Sequence, residues 1–520
     1  MELAKEFYND KVKQVVLFSS TAIALYGYDQ GMMSLINTNH DYLKTMGIGA
    51  EDALVGVIVS IYYLGTAVGA VIFSEIADRY GRKPALFGCL ATSSLGNLFM
   101  FIAGLGYTRG ALAVMFAGRI IMGLGVGGVD SVVPIYSSEL SEDKSRGKAL
   151  AQEFQMNIFG LNMAFAINLG LTRLLGKEDQ WAWRVPIIVM QIYPVLLLAF
   201  IERLPESPRW LISHERKDDA MHALVQIYGQ DDAEEKCDEL TELHERESSE
   251  SVGYLDMLLK PSHPQFHPTI ITVMGQINQA LTGYGAVSVY GPQILELLGF
   301  NTVIAEYLTM GNYVSYLILM TLAWLLIDAV GRRSLLLGGS AVLSISFFLL
   351  TIFGGLAFNA DELKIPVMAP AVPGVVTLFI ATGAFGIGWL ATVWLIPTEI
   401  FPTSARAQGT AISVIIWGLA NFAVTLLTPI MFNNLEYWLF LVFGVTNLFA
   451  GTMTYFYLPE SGNRSFEENQ TFFKEAKKAG TWRVGAVSDG AYKRLPYPAG
   501  KDDDGETAPL LSRIRDQAMS

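Results

Sequence analysis

The sequence predicts an all-α membrane protein with twelve transmembrane helices in two pseudo-symmetric six-helix bundles. Two observations carry the prediction. Of its 520 residues 52% are hydrophobic and only 16% charged, and the mean hydropathy is +0.36. Uncharged stretches of about 20 residues, enough to cross a hydrocarbon core of ~30 Å, recur throughout. Lipid offers no partner for backbone groups, so these stretches have to be helices. The second observation is internal repetition. Asp78-Arg79-Tyr80-Gly81-Arg82-Lys83 returns as Asp328-Ala329-Val330-Gly331-Arg332-Arg333. Glu139 precedes Arg146 by seven residues and Glu399 precedes Arg406 by seven, and Pro205-Glu206-Ser207 returns as Pro459-Glu460-Ser461. Three markers in one order at nearly constant displacement make one half a diverged copy of the other.

Taken in order, residues 1–13 are polar and precede an N-terminal bundle over 14–202, with spans centred near residues 25, 63, 94, 122, 160 and 192. Residues 203–266 are charged, and segments such as AMHALVQIYG and AEEKCDELTELHERE place apolar residues on one helical face, as expected of a solvated helical linker. The C-terminal bundle covers 267–458, with spans near 282, 315, 345, 384, 418 and 447, and 459–520 form a polar tail. Lys11, Arg79, Arg82, Lys83, Lys144, Arg146, Arg332, Arg333 and Arg406 fall on one side, against scattered Lys44, Arg109, Arg173 and Lys177 on the other. The positive-inside rule therefore puts both termini in the cytosol. The plasma membrane is the expected location, with a vacuolar or endosomal membrane as the alternative.

The opening MELAKEFYNDKVKQ does not read as a cleavable signal. Cys89 lies in an apolar run and Cys237 in a charged loop, so no disulfide framework is expected. The six His form no metal-ligand pattern, and no phosphate loop or nucleophile motif appears. Neither an enzyme nor a cofactor is expected, and no nucleic-acid partner. The tail becomes Pro-, Gly- and Asp-rich from Lys493, the composition of a disordered segment, and Glu506 with Leu510-Leu511 fits an acidic dileucine signal for a sorting adaptor.

The ordered set GYDQG (27–31), DRYGRK, Gly118-Arg119, PIYSSEL followed by Arg146-Gly147, PESPRWL, DAVGRR, Trp394 with Glu399 and Arg406, and LPESGNRSFEE resembles the sugar porter family of the major facilitator superfamily. The likeness runs from about residue 20 to 470, and the GYDQG form is most similar to fungal members. The resemblance implies the major facilitator fold and a proton-coupled carrier of a small polyhydroxylated solute working by alternating access. A transporter-like nutrient sensor is the alternative.

Ionisable groups inside spans are costly and mark function. Asp29 in the first span and Arg119 in the fourth both lie well inside the membrane. An always-charged Arg favours the carboxylate of a neighbouring Asp, and its withdrawal lets the Asp take a proton. The resemblance also makes these two the proton-coupling pair. A permanently paired structural bridge is the alternative. Asp130 follows Arg119 by eleven residues, about three helical turns, so both share a face. It either binds an intracellular-gate residue or acts as a second proton site. Glu153 in the fifth span either faces the cavity or pairs near the cytosolic end.

The seventh span, with Gln279, Thr282, Gly285, Tyr290 and Pro292, predicts a weakened, bendable helix of the kind that lines transporter sites. Gln279 suits solute hydroxyls. The tenth span repeats the glycine pattern around Trp389 and Trp394, and the resemblance makes Trp394 the binding tryptophan. Departures from the family pattern are equally informative. Ala280 replaces the second glutamine of a pair, Gly285 and Tyr316 stand at asparagine positions, and Phe154, or Gln155 one residue on, stands at a glutamine position, while Asn421 matches. A smaller polyol, a disaccharide, a modified sugar or a cyclic sugar acid are the candidate cargoes for this less polar pocket. Arg82, Glu139, Arg146 and Glu206, with Arg332, Glu399, Arg406 and Glu460, resemble the family's inner gate, in which ion pairs at helix ends hold the two halves together.

Overall fold

The computed structural model describes residues 10–49, 52–106, 109–140, 146–247, 253–462, 464 and 466–487. The N-terminal half comprises α1 (Lys11–Ile36), α2 (Ala53–Tyr80), α3 (Arg82–Ile102), α4 (Ala111–Leu140), α5 (Arg146–Leu175) and α6 (Gln180–Ile201). The C-terminal half comprises a broken α7 (266–297), α8 (Thr302–Val330), α9 (Arg332–Phe358), α10 (Met368–Ile400), α11 (Thr403–Leu435) and α12 (Trp438–Tyr457). Ten of these helices are long and apolar enough to cross a membrane by composition alone. The other two, α1 and α7, are the ones built for the interior. Most of α1 is buried, including Gln14, Ser19, Ser20 and Asp29, and α7 is interrupted at Gly283 and again at Tyr290. Twelve spans result, and the polar ones face protein.

Side chains start the helices where the sequence signals it. Asp10, Asp52, Asp179 and Asn301 each accept a hydrogen bond from a first-turn backbone N–H of α1, α2, α6 and α8. Apolar side chains that no protein covers, such as Leu174, Leu325 and Ile318, stand on the outer surface and belong against lipid.

Within the first half α1 packs on α5, and α2 and α3 on α4. Within the second, α7 packs on α11 and α9 on α10 and α12. Between halves the most extensive contacts are α2 with α11 and α5 with α8. These two interfaces exchange when each helix number is shifted by six, so the duplication is also the symmetry of the molecule. A side chain on Gly27 would strike the Asn157 carbonyl oxygen, so α1 and α5 touch through their backbones. The linker folds into short helices (Pro208–Ser213, Lys217–Tyr228, Gln230–Glu247) around a small core of Trp210, Leu211, Leu224, Ala233 and Cys237. Cys237 is buried there, far in chain and setting from buried Cys89, and both thiols are free. The first stretch of the tail is a helix, Phe466–Lys478, anchored where Asn469 and Gln470 donate to the carbonyls of Glu399 and Ile400. Glu506, Leu510 and Leu511 lie outside the described residues.

Candidate functional site

Asp29 and Arg119 meet inside the first half. Arg119 Nη1 donates to Asp29 Oδ1 at 2.6 Å, both side chains being almost completely buried. The other guanidinium nitrogens donate to the carbonyls of Ile58 (3.2 Å) and Val59 (3.1 Å), and the group lies 4.7 Å over the Tyr62 ring. Arg119 thus keeps partners of its own if Asp29 becomes neutral. That arrangement permits the carboxylate to change state without stranding the cation.

Between the halves lies a narrow cavity of about 30 Å³. Six aromatic residues line it: Tyr26, Phe154, Tyr284, Phe385, Trp394 and Trp417. Trp394 stands between Phe154 and Trp417, with ring centres 5.7 Å from each. The polar lining is Gln30, Asn157, Gln279, Ser288 and Asn421, and none of the described residues that line the cavity is charged. Gln279 spends its amide N–H groups on the carbonyls of Trp389 and Leu390, both at 3.2 Å, and its oxygen Oε1 has no partner. A buried acceptor left free in a lined cavity is matched to a solute hydroxyl. At the sparsely charged end a larger vestibule of about 460 Å³ is lined by Asn37, Lys177, Tyr290, Gln293, Glu296 and Phe432 among others.

Of the residues expected to touch solute, Gln279, Gly285, Trp394 and Asn421 line the cavity, and four do not. Gln155 points across the interface and donates to the Leu317 carbonyl at 3.1 Å, leaving Phe154 on the cavity wall. One residue along a helix is a rotation of about 100°, which is enough to exchange the two roles. Thr282 donates to the Gln279 carbonyl at 2.6 Å and serves the break in α7. Tyr290, beyond that break, lines the vestibule instead. Tyr316 is buried edge-on behind Tyr284, ring centres 5.0 Å apart. Trp389 donates to Ser340 Oγ at 3.2 Å and packs between α9 and α10. Sequence reasoning missed Tyr26, Gln30 and Trp417. Their signal was helical spacing, since Tyr26 and Gln30 are four apart, as are Trp417 and Asn421.

The charged end holds two clusters of the same design. Arg82 donates to both oxygens of Glu139 (3.1 and 3.0 Å) and to Asp78 (2.7 Å), and Glu206 accepts the backbone N–H groups of Arg82 and Lys83 at 3.0 Å. Arg332 donates to Glu399 at 2.6 Å and pairs with Asp328 at 2.9 Å, and Glu460 accepts from the backbones of Arg332 (2.8 Å) and Arg333 (3.2 Å). Each glutamate thereby caps the positive end of a helix. The turns depend on Gly81 and Gly331, at φ 109° and 96°, where a side chain would also strike Glu206 or Glu460.

Among the described residues, the pairs Arg82–Glu139 and Arg332–Glu399 each join two helices of one half, because the glycine turn sets its Arg beside the end of the next helix, which carries the Glu. The Arg146 side chain lies outside the described residues. Arg406 sits near the start of α11. Burial, with the charges of Asp78 and Glu75, pushes the Tyr254 phenol of the linker up to about 12. Asp130 Oδ2 has no hydrogen-bond partner among the described residues, and Glu153 accepts from Ser137 Oγ at 2.6 Å within the first half.

A connection between halves that the sequence did not disclose is at the opposite end. Glu306 of α8, fully buried, accepts from Arg173 near the end of α5 at 2.5 Å and forms an ion pair with Lys177, in the turn just beyond that helix, at 2.8 Å. Among the described residues no group of three or more His, Cys, Asp or Glu forms a metal site.

The family profile described as "Sugar (and other) transporter" matches residues 15–473. Among characterised relatives, the MFS-type transporter oryC of Aspergillus oryzae is 32% identical over 88% of this chain and 85% of its own length. The sugar transporter STL1 of Saccharomyces cerevisiae is 30% identical over 90% and 83%. The proton:xylose symporter XylE of E. coli, solved with 6-bromo-6-deoxy-D-glucose, superimposes with a TM-score of 0.74 at 23% identity, covering 89% of this chain and 99% of that one, a likeness of fold.

Proposed function

Because the chain belongs to the sugar transporter family of the major facilitator superfamily, we propose that it imports a small, neutral, polyhydroxylated solute together with a proton. The observation that carries this reading is a buried Asp29–Arg119 pair in a protein that also holds an uncharged cavity with six aromatic rings between its halves. Solute enters from the sparsely charged end through the vestibule. The aromatic walls take the C–H face of a ring and the free Gln279 oxygen takes a hydroxyl. Protonation of Asp29 loosens Arg119, and differential binding of proton and solute in the two orientations links their movements. The Lys- and Arg-rich end faces the cytosol. A neutral lining disfavours sugar acids, whose carboxylate would find no cation there.

The test is uptake in a host lacking its own sugar carriers, across neutral hexoses, pentoses, disaccharides, polyols and sugar acids, with external pH recorded. A neutral solute should accumulate against its gradient while the medium becomes more alkaline, and a protonophore should abolish accumulation. Uptake that only equilibrates and leaves the pH unchanged would overturn the coupling.

A further inference from the structure

The central cavity, at about 30 Å³, has room for about one water molecule. The vestibule, at about 460 Å³, falls within the ~300–1,000 Å³ range of small-molecule sites. In this conformation a ring-sized solute fits the vestibule and not the central cavity.

The vestibule is lined from both halves. Asn37, which closes α1, is 4% exposed, and neither its Nδ2 nor its Oδ1 has a hydrogen-bond partner. On the other half Gln293, in the last segment of α7, has a buried Oε1 that is also without a partner. Tyr290 and Phe432 stand edge to face, ring centres 6.2 Å apart, and line the same space. Amides exchange hydrogen bonds with hydroxyls, and aromatic rings cover C–H groups, so this equipment suits a hydroxylated ring. The basic residues of the lining are already engaged, Lys177 with Glu306 at 2.8 Å and His40 with Glu178 at 2.6 Å, and Glu296 is exposed. An anion finds no unclaimed cation among the described residues there.

We propose that the vestibule is a second solute site, which holds a neutral, polyhydroxylated ring through Asn37 and Gln293, against Tyr290 and Phe432, before the central cavity widens to take it. The class of solute rests on the import reading above. The two sites share α7: Ser288, just before its second break, lines the central cavity, and Tyr290, at that break, lines the vestibule. Because Asn37 and Gln293 belong to opposite halves, a solute bound by both bridges the halves at the end where Glu306 also joins them.

Thr302→Cys, in the vestibule lining, reads the site through its rate of maleimide labelling in the full-length protein in lipid, the native thiols being buried. D-Xylose, D-glucose and myo-inositol are the probes, and glycine betaine, which has no hydroxyl, is the control solute. At least one probe should slow labelling severalfold where betaine does not. The concentration it needs should rise by about tenfold in Asn37→Leu and in Gln293→Ala, the scale of one hydrogen bond to the solute. It should stay unchanged in Trp394→Ala, which alters only the central cavity. The two amide variants lie on different halves, so either one that labels at the parent rate without sugar gives the reading. If no probe protects, if betaine protects equally, or if protection is lost in Trp394→Ala and kept in the amide variants, the vestibule is not a solute site. Labelling needs neither a proton gradient nor translocation, so failure of coupled uptake with protection intact would defeat the import reading alone.

Discussion

Arg173 of α5 and Glu306 of α8 meet at 2.5 Å across the boundary between the halves, and Lys177 takes the other carboxylate oxygen at 2.8 Å. A movement that parts the halves at this end has to part these charges. Glu306 is fully buried while its partners are partly exposed, so losing the carboxylate is the cleaner disruption. Removing one member of a buried pair costs about 3–5 kcal/mol at the extreme, less where solvent reaches the other member. Glu306→Gln should raise the labelling rate of a cysteine placed at Thr302 in the vestibule severalfold. The native thiols, both buried, leave a quiet background. Unchanged labelling would show that the contact does not restrain opening.

The Asp29–Arg119 pair predicts a split between two kinds of transport. In Asp29→Asn, Arg119 keeps the Ile58 and Val59 carbonyls, so the fold should persist. Uphill accumulation should be abolished and solute exchange across equilibrated membranes should remain largely intact. Accumulation that survives in the variant would remove Asp29 from the coupling mechanism.

The aromatic cavity separates neighbours in sequence. Trp394→Ala and Phe154→Ala should each weaken solute binding by roughly tenfold, on the scale of the ~0.5–1.5 kcal/mol of an aromatic contact beyond its buried area. Trp389→Ala and Gln155→Ala should leave solute affinity within about twofold, since neither side chain lines the cavity. Equal losses across all four in equilibrium binding would contradict the placement.

Gly331 and Gly81 should resist substitution. Alanine at either has to adopt a positive φ and displace Glu460 or Glu206, which costs more than about 1 kcal/mol. The melting temperature of detergent-solubilised Gly331→Ala should fall by several degrees. Gly338→Ala, where an added Cβ meets nothing within 4 Å, is the control.

Much of this architecture was legible in the sequence because it rests on signals with one reading. Apolar length gives the spans, and repeated DRYGRK and PES motifs give the duplication. Two lone charges inside spans, Asp29 and Arg119, have each other as the obvious partner. What stayed hidden depended on direction. Whether Phe154 or Gln155 faces the cavity is decided by one step of helical rotation. Tyr290 moved to the vestibule because the break in α7 resets the helical phase beyond Gly283. Glu139 lies close in sequence to Arg146 and far from Arg82, yet it is Arg82 that binds it with both oxygens. The partners of Glu306 likewise come from the other half, and sequence separation carries no information about such pairs.

That each of these charged clusters draws its described members from one half and the segment following it bears on ancestry. Arg82 with Asp78, Glu139 and Glu206, and Arg332 with Asp328, Glu399 and Glu460, are contacts that a free-standing six-helix subunit with its following segment would make by itself. The present protein is in that sense a tethered dimer, and the tether at 203–266 keeps its own small core. Two polypeptides divided within that tether and synthesised together should still find each other in the membrane.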